Sequence, residues 1–207
     1  MLPDRIFVTG TGTDVGKSVI SAVLLAGMRG HYWKPIQSGT LDATDTMLIQ
    51  GLTGLDQDHF LPETYRLNQP LSPHTSAELD GVKISLDDLS LPDAQSYRTL
   101  IVEGAGGIMV PLNDRETMLD LIEKLSLPTV VVADSGLGTI NHTLLTVDKL
   151  KRHHIDVLGV VMNGIRNPPN RRAIERFGQV DVLAEVEPME DMGPQVLEEC
   201  FQKHFSS

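Results

Sequence analysis

The feature that most constrains this chain is a glycine-rich run directly after a short apolar stretch. Residues 6–8 are Ile-Phe-Val, residues 10–18 are Gly-Thr-Gly-Thr-Asp-Val-Gly-Lys-Ser, and a mostly apolar segment follows. A strand that ends in such a turn directs backbone N–H groups at phosphate oxygens, and the next helix adds its positive N-terminal end. The run predicts a nucleoside triphosphate site, in which Lys17 reaches the phosphates and the Ser18 hydroxyl binds Mg²⁺.

The spacing of this run differs from the standard phosphate-binding pattern by one residue. That pattern has four residues between its two glycines, so counting back from Gly16 puts Thr11 where the first glycine should be. Gly10 lies one residue further out, and the loop is therefore one residue longer. A simple glycine turn with a solvated lysine is the structural alternative.

Length and composition favour one folded domain, which we expect to span residues 1–207. The chain is 41% hydrophobic and 22% charged, as in ordinary globular proteins. No apolar run approaches the ~20 residues that cross a bilayer, and the first residues do not resemble a signal peptide. A single cysteine, Cys200, excludes an internal disulfide. We therefore expect a cytoplasmic protein.

The net charge of −11 argues against a nucleic-acid partner, because phosphate neutralisation needs clustered lysine and arginine. The basic clusters at residues 149–152 and 171–172 are interpreted as solvated helix faces. Anions must then be bound locally, by backbone N–H groups and a few placed cations.

Strand-like and helix-like segments alternate along the chain. Residues 99–102, 128–133 and 157–162 are continuous apolar runs, typical of strands covered on both faces. This alternation predicts an α/β fold with three layers, in which a mostly parallel central sheet has helices on both faces. Further predicted segments are a strand at 32–36, helices near 45–49, 118–125, 140–150 and 194–207, and short helices and loops over 51–91.

Two carboxylates are candidate Mg²⁺ ligands. Glu103 is predicted to end a buried strand and precedes a glycine-rich segment, which lets the backbone approach a ligand. Its alternative roles are helix capping or a salt bridge. Asp45 is the second candidate, with an alternative role as the N-cap of its helix, and Asp42 shares this ambiguity.

A second lysine is expected to face the same crevice as Lys17. Lys34 is predicted to lie at the end of a strand, where it would neutralise charge on a transferred phosphoryl group. Its alternative is a solvated lysine. Residues 136–142 follow a strand and open a helix, which suits an anion. Asn141 and His142 there have capping and packing as alternative roles.

Together these residues resemble the dethiobiotin synthetases, ATP-dependent carboxylases of biotin biosynthesis with a P-loop NTPase-like fold. The matching segments follow the same order over most of the chain. They are residues 8–18, 33–39, Asp45, 72–74, 102–107, 111–112, 137–142 and 162–163.

The resemblance implies a homodimer whose active sites lie at the subunit interface. Such an enzyme uses ATP as co-substrate and Mg²⁺ as cofactor. It closes the ureido ring of dethiobiotin from CO₂ and 7,8-diaminononanoate, and it releases ADP and phosphate. The path runs through a carbamate and a carbamic-phosphoric anhydride.

The resemblance also assigns roles to individual residues. It makes Lys17 and Lys34 catalytic. The implied substrate-binding residues are Thr13, Ser38, Gly138 and Asn141, and the implied metal ligands are Ser18, Asp45 and Glu103. The implied nucleotide-binding residues are Asp14, Val15, Gly16, Lys17, Ser18, Val19, Asp45, Glu103, Gly104, Ala105, Gly106, Asn163, Val186, Glu187 and Pro188.

Three details depart from the family pattern. Asp14 stands where glutamate is common, and the connection into Trp33 is abbreviated. The base-binding stretch near Glu187 matches weakly, which leaves the purine preference open. Two other classes of function remain. A ParA-like ATPase switch would normally carry a second lysine early in the loop, where this chain has Thr11 or Gly12. A non-catalytic nucleotide-binding protein would not need the lysine and the two carboxylates together.

Overall fold

A six-stranded parallel sheet forms the middle layer of the protein. The computed structural model describes residues 2–41 and 43–206. The strands of the large sheet are β1 (Arg5–Gly10), β2 (His31–Trp33), β5 (Leu100–Gly107), β6 (Thr129–Asp134), β7 (Val157–Asn163) and β8 (Val182–Val186). They lie in the spatial order β2-β5-β1-β6-β7-β8. A separate parallel pair consists of β3 (Ile36–Ser38) and β4 (Tyr65–Leu67).

Helices cover both faces of the large sheet. They are α1 (Lys17–Met28), α2 (Asp45–Thr53), α3 (Pro73–Leu79), α4 (Met118–Leu125), α5 (Thr139–Arg152), α6 (Pro168–Gly178) and α7 (Pro194–Phe205), with short 3₁₀ helices at Gln57–His59 and Leu86–Asp88. Apolar residues of α1, α2 and α7 pack in one core cluster, and those of α3 to α6 pack in another. The predicted three-layer α/β fold is confirmed.

The central strand shows why these sequences form buried parallel strands. Ile6, Phe7 and Val8 have no exposed surface. Ile6 and Val8 belong to the core cluster beside α1, whereas Phe7 belongs to the cluster on the opposite face. Both faces of a covered strand must be apolar, so its residues read as a continuous apolar run. Because β1 lies between β5 and β6, the loop after it reaches the middle of the sheet edge.

The prediction of one strand over residues 32–36 is wrong. The chain forms β2, leaves the large sheet at Lys34 and Pro35, and then forms β3 beside β4. Proline has no N–H group to donate to a strand ladder, so Pro35 separates the two strands. Its carbonyl instead accepts a hydrogen bond from Tyr65 N at 3.0 Å. Lys34 therefore lies in a bend between two sheets.

The prediction that a strand ends at Glu103 is also wrong, because β5 continues to Gly107. Val8 pairs with Glu103 and Gly10 pairs with Gly107, so β5 has two more residues than β1 between these pairs. Gly106 has φ 65°, a left-handed conformation that glycine adopts without strain. The glycines thus allow a bulge, and pairing resumes beyond it.

The remaining predictions are confirmed in part. The helix at 118–125 has the predicted bounds, α5 covers all of residues 140–150, and α7 covers residues 194–205 of the predicted 194–207. Strand β4 lies within residues 51–91, where only helices and loops were predicted. No helix among residues 2–41 and 43–206 is long and apolar enough to cross a membrane. Asp42 and Ser207 lie outside the described residues.

The start of α4 gives a prediction for stability. The Asp120 carboxylate accepts hydrogen bonds from Thr117 N and Thr117 Oγ1, both at 2.7 Å, as in a capping box. We expect Asp120→Ala to lower the free energy of unfolding by about 1 kcal/mol at neutral pH, because the cap is lost. Chemical denaturation at neutral pH measures this loss, and the exposed Asp114, changed to alanine, is the control.

The decrease in the free energy of unfolding caused by Asp120→Ala should depend on pH. Burial alone would raise the pKa of Asp120, but the hydrogen bonds from Thr117 outweigh it and hold that pKa below its ordinary value. A carboxyl with a depressed pKa stabilises the fold above its unfolded pKa of about 3.9, and this contribution disappears as the pH falls through the folded value. The gap between Asp120→Ala and the unchanged protein should therefore shrink below about pH 4. A gap that stays constant would contradict this assignment.

Candidate active site

An open cavity of about 740 Å³ lies at the carboxyl edge of the large sheet, against the loop that follows β1. The elements that reach it are the start of α1, the bend after β2, the start of α2, the glycines of β5 and the segment before α3. In a parallel α/β sheet this edge is where ligands bind, because the loops after the strands converge there. The polar residues predicted from separate parts of the sequence therefore face one space.

The loop between β1 and α1 has the backbone expected of a phosphate cradle. Gly16 has φ 93°, and a Cβ atom there would lie 2.1 Å from Asn163 Nδ2. No other residue can take this conformation at this distance without displacing its neighbour. Asp14 is also left-handed, with φ 59°. The loop is thus held in a shape that leaves the first N–H groups of α1 at the cavity.

Lys17 is folded over this loop. Its Nζ donates to Gly12 O at 2.9 Å, and the residue is 8% exposed. Burial lowers the pKa of the Lys17 ammonium, and the positive charge of Lys34 acts in the same direction, while the Glu103 carboxylate opposes them. The lysine lies at the cavity with a short bond to a backbone carbonyl, and a phosphate would be a stronger partner for it.

Two carboxylates, a hydroxyl and the second lysine form one polar cluster. Ser18 Oγ lies 3.0 Å from Asp45 Oδ1 and 3.0 Å from Glu103 Oε1. Lys34 Nζ lies 2.6 Å from Asp45 Oδ2 and 2.9 Å from Glu103 Oε1. Glu103 has no exposed surface and Lys34 is 3% exposed. The predicted alternative of a solvated lysine does not hold for Lys34.

The charges in this cluster support one another. Burial would lower the pKa of the Lys34 ammonium, but the carboxylates of Glu103 and Asp45 outweigh it and raise that pKa above its ordinary value. Burial would raise the pKa of Asp45, but Lys34 and Ser18 hold it below its ordinary value. Lys34 therefore stays protonated and Asp45 stays ionised around neutral pH, which suits the binding of an anionic ligand.

The structure also shows which residues hold the cluster in place. Thr44, not Asp45, is the N-cap of α2, since its side chain accepts from Met47 N. Gln37 Oε1 accepts from Asp45 N at 3.1 Å. The Tyr32 hydroxyl donates to Glu103 Oε2 at 3.2 Å. The sequence analysis gave Gln37 and Tyr32 no role, and only their closeness to Lys34 along the chain pointed to them.

Most of the residues assigned to ligands by resemblance line the cavity. They are Thr13, Asp14, Gly16, Lys17, Ser18, Val19, Lys34, Ser38, Asp45, Glu103, Ala105 and Gly106. Among the described residues, the buried Ser38 Oγ has no hydrogen-bond partner.

The other assigned residues do not line this cavity. Gly138 and Asn141 are exposed at the start of α5. Asn163 donates to Val15 O at 3.2 Å and packs against Gly16, and Val15 itself is half-buried. The remaining ones are Gly104, whose added Cβ would lie 3.0 Å from the Phe7 ring, Val186, which is buried, and Glu187 and Pro188, which are exposed. Their roles stay predictions.

In the basic cluster at residues 171–172, Arg172 is exposed as predicted, whereas Arg171 is only partly exposed. Arg171 donates to Glu185, whose side chain is 5% exposed, at 3.3 Å and to Val182 O at 3.1 Å. It therefore ties α6 to β8. Burial lowers the pKa of Arg171, but its bonds to Glu175 and Glu185 outweigh this and raise it.

The sheet and its phosphate loop define a P-loop nucleotide-binding protein. A family model described as an AAA domain matches residues 4–196. Solved structures with a similar fold include a ParA family ATPase from Chlorobium tepidum (TM-score 0.54, 14% identity, 99% of this chain and 93% of that one). The MinD cell division protein of Aquifex aeolicus has a TM-score of 0.54 and 13% identity, over 94% and 89%. At such identities these neighbours show the fold alone.

Relatives with similar sequences show which family of P-loop proteins this chain belongs to. The ATP-dependent dethiobiotin synthetase BioD of Paramagnetospirillum magneticum is 53% identical over 184 residues, which cover 89% of this chain and 88% of that protein. The protein of the same name from Bradyrhizobium diazoefficiens is 43% identical over 203 residues, 98% of this chain and 96% of its own length. The chain belongs to the dethiobiotin synthetase family.

The position of Lys17 gives a prediction for turnover. We expect Lys17→Ala to lower the rate by at least about a thousandfold, or about 4 kcal/mol of barrier, because the charge on the phosphates loses its nearest cation. The melting temperature of the ligand-free protein should change little, since the hydrogen bond that Lys17 Nζ donates within residues 2–41 and 43–206 goes to a loop carbonyl. An assay of phosphate release measures the rate, and thermal unfolding measures the melting temperature. Lys83→Ala, at an exposed position, is the control. Near-normal turnover would remove Lys17 from the phosphate site.

Proposed function

We propose that this chain closes the ureido ring of dethiobiotin from CO₂ and 7,8-diaminononanoate while ATP is cleaved to ADP and phosphate. The observation that carries this proposal beside the family membership is the second buried lysine. Lys34 faces the same cavity as Lys17. A nucleotide switch needs a phosphate cradle, whereas a phosphoryl transfer to a carboxylate-like acceptor also needs a cation on the acceptor side.

The chemistry proceeds by positioning rather than through a protein nucleophile. One amine of the substrate attacks CO₂, loses a proton and becomes a carbamate. A carbamate oxygen then attacks the γ-phosphorus, and the bond to the leaving ADP breaks. The second amine attacks the carbamoyl carbon of the mixed anhydride, phosphate leaves, and the ring is closed. Holding the reactants in line supplies much of the acceleration in such a sequence.

In this proposal the two lysines neutralise different anionic groups. Lys17, at the start of α1, is placed for the β- and γ-phosphates, as are the N–H groups at that helix end. Lys34 lies against Asp45 and Glu103, the two carboxylates that contact Ser18, and its protonated state suits the carbamate and the oxygen that attacks phosphorus. Thr13 and Ser38 line the cavity, and we assign them to the binding of the carbamate or the diamine.

Apolar residues complete the wall of the cavity. Leu48, Leu71 and Val110 line it beside the polar cluster. A diamine with a long methylene chain needs such a surface, because apolar contact favours binding without competing for the hydrogen bonds of the amines. The combination of an apolar wall with a polar cluster of both charges fits the proposed substrate.

The polar cluster also fits a Mg²⁺ ion. The oxygens of Ser18, Asp45 and Glu103 converge within 3.0 Å contacts, and the Lys34 ammonium lies against both carboxylates, so the place attracts a cation. Among the described residues no group of three or more His, Cys, Asp or Glu side chains is arranged to hold a metal. Two carboxylates with a hydroxyl are a typical Mg²⁺ set, completed by phosphates and water. When bound, the ion would neutralise the β- and γ-phosphates.

We further propose that the chain is a single domain that acts as a cytoplasmic homodimer. The main support for the dimer is the exposed segment at the start of α5. Gly138 and Asn141 are exposed there, and Leu137 beside them is fully exposed, although the family resemblance assigns this segment to the substrate. A helix N-terminus attracts a carboxylate. The segment can serve a substrate if it reaches the cavity of a second subunit.

An assay of phosphate release tests the proposed reaction. Purified protein with Mg²⁺ and ATP should release phosphate only when both bicarbonate and the diamine are present, and dethiobiotin should form in a one-to-one ratio. A switch ATPase would release phosphate without the diamine, and a non-catalytic binder would release none. Either result would overturn the proposed function.

Mixed dimers test the shared site. Gly138→Glu should block the substrate carboxylate through like charge, and Lys17→Ala should disable the other half of the site. When the two inactive variants are refolded together, half the dimers are mixed and each holds one intact site. About a quarter of the activity of the unchanged protein should return, given two-fold symmetry and random pairing.

Each variant refolded alone should stay inactive, which excludes recovery by refolding itself. Native mass spectrometry confirms that mixed dimers have formed. Mixed dimers without activity would show that each subunit builds its own site.

A further inference from the structure

The Tyr32 hydroxyl bonds the buried carboxylate of the cluster and has no part in the function described so far. Tyr32 has no exposed surface, and its OH donates to Glu103 Oε2 at 3.2 Å. A tyrosine used only to fill a core does not need a hydroxyl, because phenylalanine fills nearly the same space. The role of the hydroxyl therefore lies in its bond to Glu103.

The register of the sheet brings these two side chains to the same face. Tyr32 pairs with Ile101 in the parallel ladder of β2 and β5. Tyr32 and Ile101 belong to the core cluster beside α1, and Glu103 follows Ile101 by two positions, so it emerges on that face too. The Ser18 hydroxyl at the start of α1 meets it there.

The two oxygens of Glu103 have different partners. Oε1 receives Lys34 Nζ at 2.9 Å and Ser18 Oγ at 3.0 Å. Oε2 receives the Tyr32 hydroxyl, which comes from inside the core. A carboxylate without a donor behind it can rotate, whereas a donor on one oxygen fixes the plane of the group and so the direction in which the other oxygen faces the cavity.

Tyr32 itself is held firmly. Its ring lies edge-on to Phe60, with the ring centroids 6.2 Å apart, and its carbonyl accepts from Leu61 N at 2.9 Å. Because the Tyr32 side chain is fixed, its hydroxyl also fixes the orientation of the Glu103 carboxylate that it bonds.

We propose that Tyr32 is a positioning residue for the Mg²⁺–nucleotide site, where it holds the Glu103 carboxylate so that Oε1 faces Ser18 and the bound cation. This inference rests on the Mg²⁺ site proposed above. Groups that orient a metal ligand from behind affect metal affinity by 10- to 100-fold in other proteins. Tyr32 therefore sets how much Mg²⁺ the protein needs, without touching nucleotide or substrate.

Binding of a non-hydrolysable ATP analogue, measured by calorimetry at graded Mg²⁺ concentrations, tests this proposal without turnover. For Tyr32→Phe we expect the half-saturating Mg²⁺ concentration to rise about tenfold or more, and binding of the analogue without Mg²⁺ to stay unchanged. Tyr65→Phe is the matched control, because it also removes a hydroxyl that bonds a carboxylate, that of Asp88, outside the cavity.

A double variant separates positioning from a general loss of structure. In a Glu103→Gln background, Tyr32→Phe should cause no further rise in the half-saturating Mg²⁺ concentration, because the effect of Tyr32 passes through Glu103. An undiminished rise in that background, or a Tyr32→Phe protein with an unchanged Mg²⁺ requirement, would overturn the role of Tyr32. If the unchanged protein binds the analogue without any Mg²⁺ dependence, the proposed metal site and this inference both fail, whereas the diamine-dependent reaction is tested separately.

Discussion

The charge of Glu103 is the constraint around which the site is organised. Its carboxylate has no exposed surface, and an uncompensated charge in such a place would cost several kcal/mol. Lys34, Ser18 and Tyr32 all donate to it, from the end of β2, from α1 and from β2 itself. These elements must pack together before the charge is satisfied. The contacts that complete the fold are thus the ones that prepare the cluster for a cation and an anion.

Sequence reasoning works here where the signal is local. The strand, the glycine turn and the lysine at residues 6–18 are contiguous, so their pattern predicts both the structure and a ligand. Continuous apolar runs predict β6 and β7 because a strand buried on both faces must be apolar throughout. The convergence of Lys34, Asp45 and Glu103 is predictable to the extent that parallel strands bring their ends to one edge.

The rest depends on contacts that leave no periodic pattern. Strands β3 and β4 have three residues each, too few to show an alternation, and they pair only because the chain bends at Pro35. The continuation of β5 through its glycines depends on a bulge against β1. The bond from Tyr32 to Glu103 spans 71 positions, and neither residue's neighbours indicate the other. Such features follow from packing and not from propensity.

The position of the short strand β2 also affects the tendency of the protein to aggregate. It lies at one edge of the large sheet, where unpaired backbone groups would recruit a strand from another molecule. The segment at Phe60 and Leu61 covers this edge, since Phe60 bridges to Tyr32 and Leu61 N bonds the Tyr32 carbonyl. This cap ends the ladder within the molecule. Loosening residues 57–61 would therefore expose an aggregation-prone edge beside the polar cluster, and loss of solubility would accompany loss of order there.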